Sequence, residues 1–135
     1  MWTDRLNGDR ETLQGRLTAD QMRELGRLVG ALDDPIEADF LLVYGSVARG
    51  SHDDASDIDI YFEAPYLPRR INIREQGPGR LFHGFGMPRG VLIGNLRSGK
   101  DFAFSLIDEA LVFVDRGPFR ALLITRDEEE LTEAE

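Results

Sequence analysis

The chain has 135 residues and a formal net charge of -9, long enough to bury one core and short for two. Its ordinary apolar content argues against disorder, and the absence of cysteine excludes disulfides, thiolate metal sites and cysteine nucleophiles. The acidic balance argues against a dedicated nucleic-acid binder, whose affinity rests on basic phosphate contacts. Lys100 is the sole lysine beside fifteen arginines, a bias that fits a halophilic or a high-GC origin. No apolar run approaches the length of a membrane span, and Met1-Trp2-Thr3-Asp4-Arg5 lacks the apolar stretch of a secretory leader. A single cytoplasmic domain over residues 1–135 is expected, without membrane or direct nucleic-acid contact.

Residues 1–16 are weakly patterned and are expected to form a frayed or partner-dependent helix. Thr18-Ala19-Asp20-Gln21 has the form of a capping box, and Met22, Leu25, Leu28, Val29 and Leu32 follow as a helical stripe. An amphipathic helix over 19–32 is therefore predicted, ended by Asp33-Asp34-Pro35. Phe40-Leu41-Leu42-Val43-Tyr44 reads as a strand buried on both faces and stopped by Gly45. Val47 to Gly50 allows only a short helical turn, and residues 51–56 are loop by composition. From Asp57 to Phe62 the chain alternates, with Ile58, Ile60 and Phe62 on one face and Asp57, Asp59 and Tyr61 on the other. Residues 70–75 and 80–85 are predicted as a hairpin around Gln76-Gly77-Pro78-Gly79. Val91-Leu92-Ile93 reads as a short strand, residues 101–109 as a helix and Leu111-Val112-Phe113-Val114 as a last strand. The tail, residues 127–135, carries six acidic side chains and reads as a solvated helix end or a disordered segment. The expected fold class is α/β (α+β), a small mixed sheet with helices mainly on one face.

The chemistry is concentrated in Gly45-Ser46 and, ten residues later, Asp57-Ile58-Asp59. Two aspartates at i and i+2 on a strand share a face, so each raises the cost of ionising the other. A hard divalent cation, Mg2+ or Mn2+, resolves that conflict with oxygen ligands and keeps water or phosphate oxygens of its own. A glycine after a buried strand lets a phosphate approach the backbone, and amides at the start of a helical turn favour an anion. The Ser46 hydroxyl can donate to a phosphate oxygen, and Arg49 is close enough in sequence to neutralise further charge. His83 reads as a structural histidine and Tyr61 as packing. Arg69, Arg70 and Arg74 form either a basic rim near the site or a charge guard on an edge strand.

Taken together, Gly45-Ser46-Val47-Ala48-Arg49-Gly50 and Ser56-Asp57-Ile58-Asp59-Ile60 resemble the signature of the DNA polymerase β-type nucleotidyltransferase superfamily, and most of all its minimal nucleotidyltransferases. The resemblance is carried by residues 40–62. It implies a nucleotidyltransferase fold in which Gly45 and Ser46 hold a nucleoside triphosphate, ATP above all, while Asp57 and Asp59 bind the divalent ions and carry catalysis. It implies transfer of AMP, or another nucleoside monophosphate, to a hydroxyl. The expected acceptor is a tyrosine near the active site of a HEPN-domain ribonuclease toxin, with this chain as the antitoxin. That family carries a third carboxylate on a later strand between two apolar residues. The nearest such pattern here is Ile71-Asn72-Ile73, an amide in place of the acid, with Glu75, Asp101 and Asp108 as substitutes. The competing expectation is a catalytically degenerate module that binds nucleotide or partner and neutralises the toxin by contact.

Overall fold

A computed structural model describes residues 2–31, 38–51 and 56–124. The expected 19–32 helix forms as α2 (Ala19–Ala31), and its capping box closes in both directions. Gln21 N donates to Thr18 Oγ1 at 3.1 Å, and Thr18 N donates to Gln21 Oε1 at 3.0 Å. Gln21 also reaches out of its own helix and donates to the Pro78 carbonyl at 2.8 Å. One buried side chain thus caps the start of a helix and pins a distant hairpin turn.

The strands are β1 (Phe40–Tyr44), β2 (Ile58–Ala64), β3 (Ile71–Gln76), β4 (Leu81–Pro88) and β5 (Leu111–Asp115). They form one mixed sheet in the order β3-β4-β2-β1-β5. β2 runs parallel to β4; the other three neighbouring pairs are antiparallel. The hairpin between β3 and β4 closes as predicted, with Gly77 N donating to Arg80 O at 2.8 Å. This is the α+β class expected, a small mixed sheet with flanking helices.

The helices differ from expectation in one respect: they pack on both faces of the sheet. Leu25 and Leu28 of α2 join Leu41, Val43, Ile58, Ile60 and Phe62 on one side. On the other side, Phe40, Leu42 and Tyr61 pack against α4 (Val91–Arg97), α5 (Asp101–Glu109) and the helical residues 118–124. The continuous apolar run of β1 requires this, because a strand with both rows of side chains apolar must be covered twice.

Residues 2–16, expected to fray, form α1 (Trp2–Arg16) and belong to the core. Leu13 is fully buried, and the Asp9 carboxylate accepts the Val112 amide at 2.9 Å, which ties the helix to edge strand β5. Polar contacts of this kind leave no apolar stripe in the sequence. The acidic tail at 127–135 lies outside the described residues. Among the described residues no helix is long and apolar enough to cross a membrane.

Val91-Leu92-Ile93, expected as a strand, opens α4 instead. The cause is Glu63, a nearly inaccessible carboxylate at the far end of β2. It accepts Gly90 N at 2.9 Å, Leu92 N at 2.7 Å and the Tyr61 hydroxyl at 2.7 Å. A carboxylate 27 residues earlier in the chain than Gly90 thereby caps the helix that local apolar sequence disguises. Burial pushes the Glu63 carboxyl up from its ordinary value, while Tyr61 and the two amides pull it back. A raised folded-state pKa means the folded chain holds this proton more tightly than the unfolded one. The associated stability is complete below the ordinary value of 4.5 and is lost as pH rises through the raised value. Glu63→Gln leaves one of the two amides without an acceptor and is expected to cost ~1–3 kcal/mol. Denaturant unfolding across a pH series above 4.5 should show a flatter decline of stability for this variant than for the parent.

Candidate functional site

The buried run of β1 ends at Tyr44, and Gly45 turns the chain at φ 72° directly into α3 (Gly45–Arg49). This single helical turn closes at Gly50, in the left-handed region at φ 75°, where Ser51 N donates to Ser46 O at 3.0 Å and Gly50 N to Val47 O at 3.2 Å. Arg16 of α1 completes the closure. Its Nη1 donates to the Val47 and Ala48 carbonyls, each at 2.8 Å. A guanidinium thus satisfies the carbonyl end of the turn that carries Gly45 and Ser46.

Register brings the second half of the motif against the first. Tyr44 pairs with Asp59 across β1 and β2, and Asp59 pairs with His83 across β2 and β4. His83 in turn pairs with Arg74 across β4 and β3. Side chains that are directly opposite share a face, so Tyr44, Asp59, His83 and Arg74 form one row across four strands. The Asp59 carboxylate fills the space beside Gly45: a Cβ added at position 45 would collide with Asp59 Oδ2. Only glycine admits both this approach and the positive φ.

The electrostatics follow from partial burial. Asp59 is pushed up from the ordinary carboxylate value chiefly by desolvation, and further by the Asp57 charge; His83 and Arg49 oppose the shift. His83 Nδ1 stands 3.6 Å from Asp59 Oδ1, longer than a hydrogen bond, so it acts through charge when the imidazole is protonated. Burial and the Asp59 charge together raise the Tyr44 phenol. Arg49 is exposed, with Nη1 3.8 Å from Glu109 Oε2. The Tyr44 ring meets the exposed Phe102 ring edge-on at 6.0 Å.

Gly45, Ser46, Arg49, Asp57 and Asp59, singled out from sequence, therefore lie at one end of the sheet around the start of β2. Asn72 does not join them. It lies on edge strand β3 opposite Phe85, exposed, and its Oδ1 accepts Arg70 Nε at 3.2 Å. Glu75 projects to the opposite face, where it pairs with Arg27 of α2. Asp108 lines a cavity of about 390 Å³ with Arg5, Asp9 and Glu109, next to α1. Asp101 opens α5 in its first turn. The spacer residues His52, Asp53 and Asp54 lie outside the described residues.

The residue on the strand beside Asp59 is His83, not an acid. Its signal was present in Phe82-His83-Gly84, a polar residue between buried neighbours on the strand after the hairpin turn. What hid it was the pairing of β4, rather than β3, with β2. Tyr61, which shares the aspartate face, is core: it is buried, its ring stacks on Phe40 at 6.2 Å, and its hydroxyl is given to Glu63.

Asp57 and Asp59 are the residues here that could hold a hard divalent ion. They would supply two carboxylates, and an ion between them would offset both the desolvation that chiefly raises Asp59 and the smaller contribution of the Asp57 charge. Among the described residues no group of three or more His, Cys, Asp or Glu side chains is placed to hold a metal by itself, so remaining ligands would come from water or a bound phosphate. No family model and no curated protein matches the chain.

Gly45→Ala is expected to cost ~1–3 kcal/mol of stability through positive-φ strain and the collision with Asp59. Adding Asp59→Ala relieves the collision but not the strain. The double variant should therefore lose less than the sum of the two single losses, by about 0.5 kcal/mol or more, in a denaturant-unfolding cycle. Simple additivity would mean that position 45 and Asp59 do not touch.

Proposed function

We propose that the chain is a metal-dependent nucleotidyltransferase. The observation that carries this reading is the contact of the Gly45 turn with the Asp59 carboxylate, which puts the backbone turn suited to phosphate beside the carboxylates suited to a divalent cation. The likeness of the same residues to the polymerase β-type signature supports it.

In this reading Gly45 and Ser46 hold the triphosphate of ATP or another nucleoside triphosphate, with Arg49 offsetting its charge. Asp57 and Asp59 hold Mg2+ or Mn2+, which when bound polarises phosphate oxygens and lowers the pKa of a coordinated hydroxyl. The acceptor hydroxyl oxygen bonds to the α-phosphorus, the bond from that phosphorus to the β-bridging oxygen breaks, pyrophosphate leaves, and the hydroxyl proton passes to solvent. The turn and the strand preorganise the site, since each is fixed by backbone contacts before any ligand arrives. The acceptor is a protein hydroxyl on a HEPN-domain toxin, for which this chain acts as antitoxin, and dependence on ATP sets the activity in the cytoplasm.

A second reading rests on a specific observation: the residue paired with Asp59 on the neighbouring strand is His83 rather than an acid, while the family resembled carries a third carboxylate on a later strand. A chain without that acid binds nucleotide or partner and silences the toxin by contact alone.

The test combines the purified chain, Mg2+, ATP labelled at the α-phosphate and the product of the neighbouring gene. Label should move to the partner, and Asp57→Ala or Asp59→Ala should reduce the rate roughly 10²–10³-fold, the range of a lost metal ligand. Toxin silenced equally by both variants, with no label moved, favours the second reading and overturns the first.

A further inference from the structure

The two edges of the sheet are treated differently. At β5, α1 lies alongside and Asp9 accepts the Val112 amide. At β3, no strand lies beyond Ile71–Gln76 among the described residues. In an antiparallel pair every second residue of an edge strand turns its N–H and C=O away from the sheet, so β3 offers a row of directional donors and acceptors to an extended chain.

The side chains around that edge are basic in a protein of net charge -9. Arg69, Arg70 and Arg74 are exposed. Elsewhere arginines are spent on carboxylates, as in Arg27 with Glu24 and Glu75, Arg23 with Asp20, and Arg89 with Asp39. Among the described residues no carboxylate lies within ion-pair reach of Arg69, Arg70 or Arg74. Arg70 is nonetheless held in place: its guanidinium lies 4.0 Å over the Phe85 ring, and its Nε donates to Asn72 Oδ1. Arg74 stands in the row that contains Asp59. Preorganised Arg70 and Arg74 thus line the open edge on the face that carries the aspartates, with exposed Arg69 next to them in sequence.

We infer that the β3 edge is a docking strand for an acidic, extended polypeptide segment of a partner protein. Backbone pairing along Ile71–Gln76 supplies the affinity, and acidic side chains meeting Arg69, Arg70 and Arg74 supply the selection. Three strand spacings, roughly 14 Å, separate the docked segment from the strand of Asp59, so the segment anchors the partner beside the site without filling it. The identification of that site as catalytic rests on the proposed function; the docking does not. Two other occupants are disfavoured by charge. A second copy paired through β3 would set arginines of like charge against each other, and a long nucleic acid would meet the net negative charge of the whole chain.

The test is fluorescence anisotropy on the full chain, without nucleotide or metal, using a labelled peptide of alternating Glu and Val. A peptide of alternating Lys and Val and a poly-uridine oligonucleotide serve as comparison probes. The Glu–Val peptide should bind, the Lys–Val peptide should not, and N-methylation of alternate peptide amides should abolish binding. The double variant Arg70→Glu/Arg74→Glu should bind the Glu–Val peptide about tenfold or more weakly and reverse the preference toward Lys–Val, with an unchanged far-UV spectrum. Asp57→Ala/Asp59→Ala should bind like the parent, which separates failure of docking from failure of transfer. Indifference to peptide charge, binding that survives N-methylation, no peptide binding at all, or tighter binding of the oligonucleotide would each overturn the inference.

Discussion

The carboxylate of Asp59 occupies the volume that any side chain at position 45 would need. That one contact ties two stretches of chain, ten residues apart in sequence, into one surface. It depends on the antiparallel register that sets Tyr44 opposite Asp59. The register in turn depends on β1 and β2 burying their apolar rows, since a slip by one residue would exchange the aspartates for Ile58 and Ile60. The turn itself is closed from outside by Arg16 on the Val47 and Ala48 carbonyls. A helix without an apolar stripe thereby contributes to the geometry of the site.

Burial raises two carboxyl groups on β2, and the surroundings of each explain its different use. Glu63 meets three donors, the Tyr61 hydroxyl and the amides of Gly90 and Leu92, and its bonding capacity goes into starting α4. Asp59, at the opposite end of the strand, has as its neighbours among the described residues the charged or titratable side chains of His83, Arg49 and Asp57. One carboxyl is consumed by the fold. The other is left facing a half-open surface, where a cation or a phosphate-bearing ligand can complete its environment.

The sheet also divides its outer rows by chemistry. Around β1 and β5 the aspartate face is covered by α4, α5 and residues 118–124. Around β3 and β4 the same face keeps exposed Arg70, Asn72 and Arg74 beside half-buried Phe85 and His83. Such an arrangement leaves a basic margin next to an acidic site, in a chain whose charge is otherwise strongly negative.

Local sequence was sufficient where a single period or a single turn decided the structure. The capping box at Thr18–Gln21, the strand Phe40–Tyr44, the alternation after Asp57, the turn at Gln76–Gly79 and the helix Asp101–Glu109 all appear in the structure. The spacing of Gly45, Ser46, Arg49, Asp57 and Asp59 likewise contained the candidate site, because a buried strand, a glycine turn and a returning strand leave few ways to arrange those residues. Tertiary structure decided what depends on distant partners. It made α4 a helix through Glu63, and it made α1 part of the core through Asp9 and Arg16. It placed helices on both faces and set β4 rather than β3 beside β2, so that His83 and not Asn72 flanks Asp59. Strand order is a choice among pairings whose backbone hydrogen bonds are equivalent, and only the packing of the whole sheet distinguishes them.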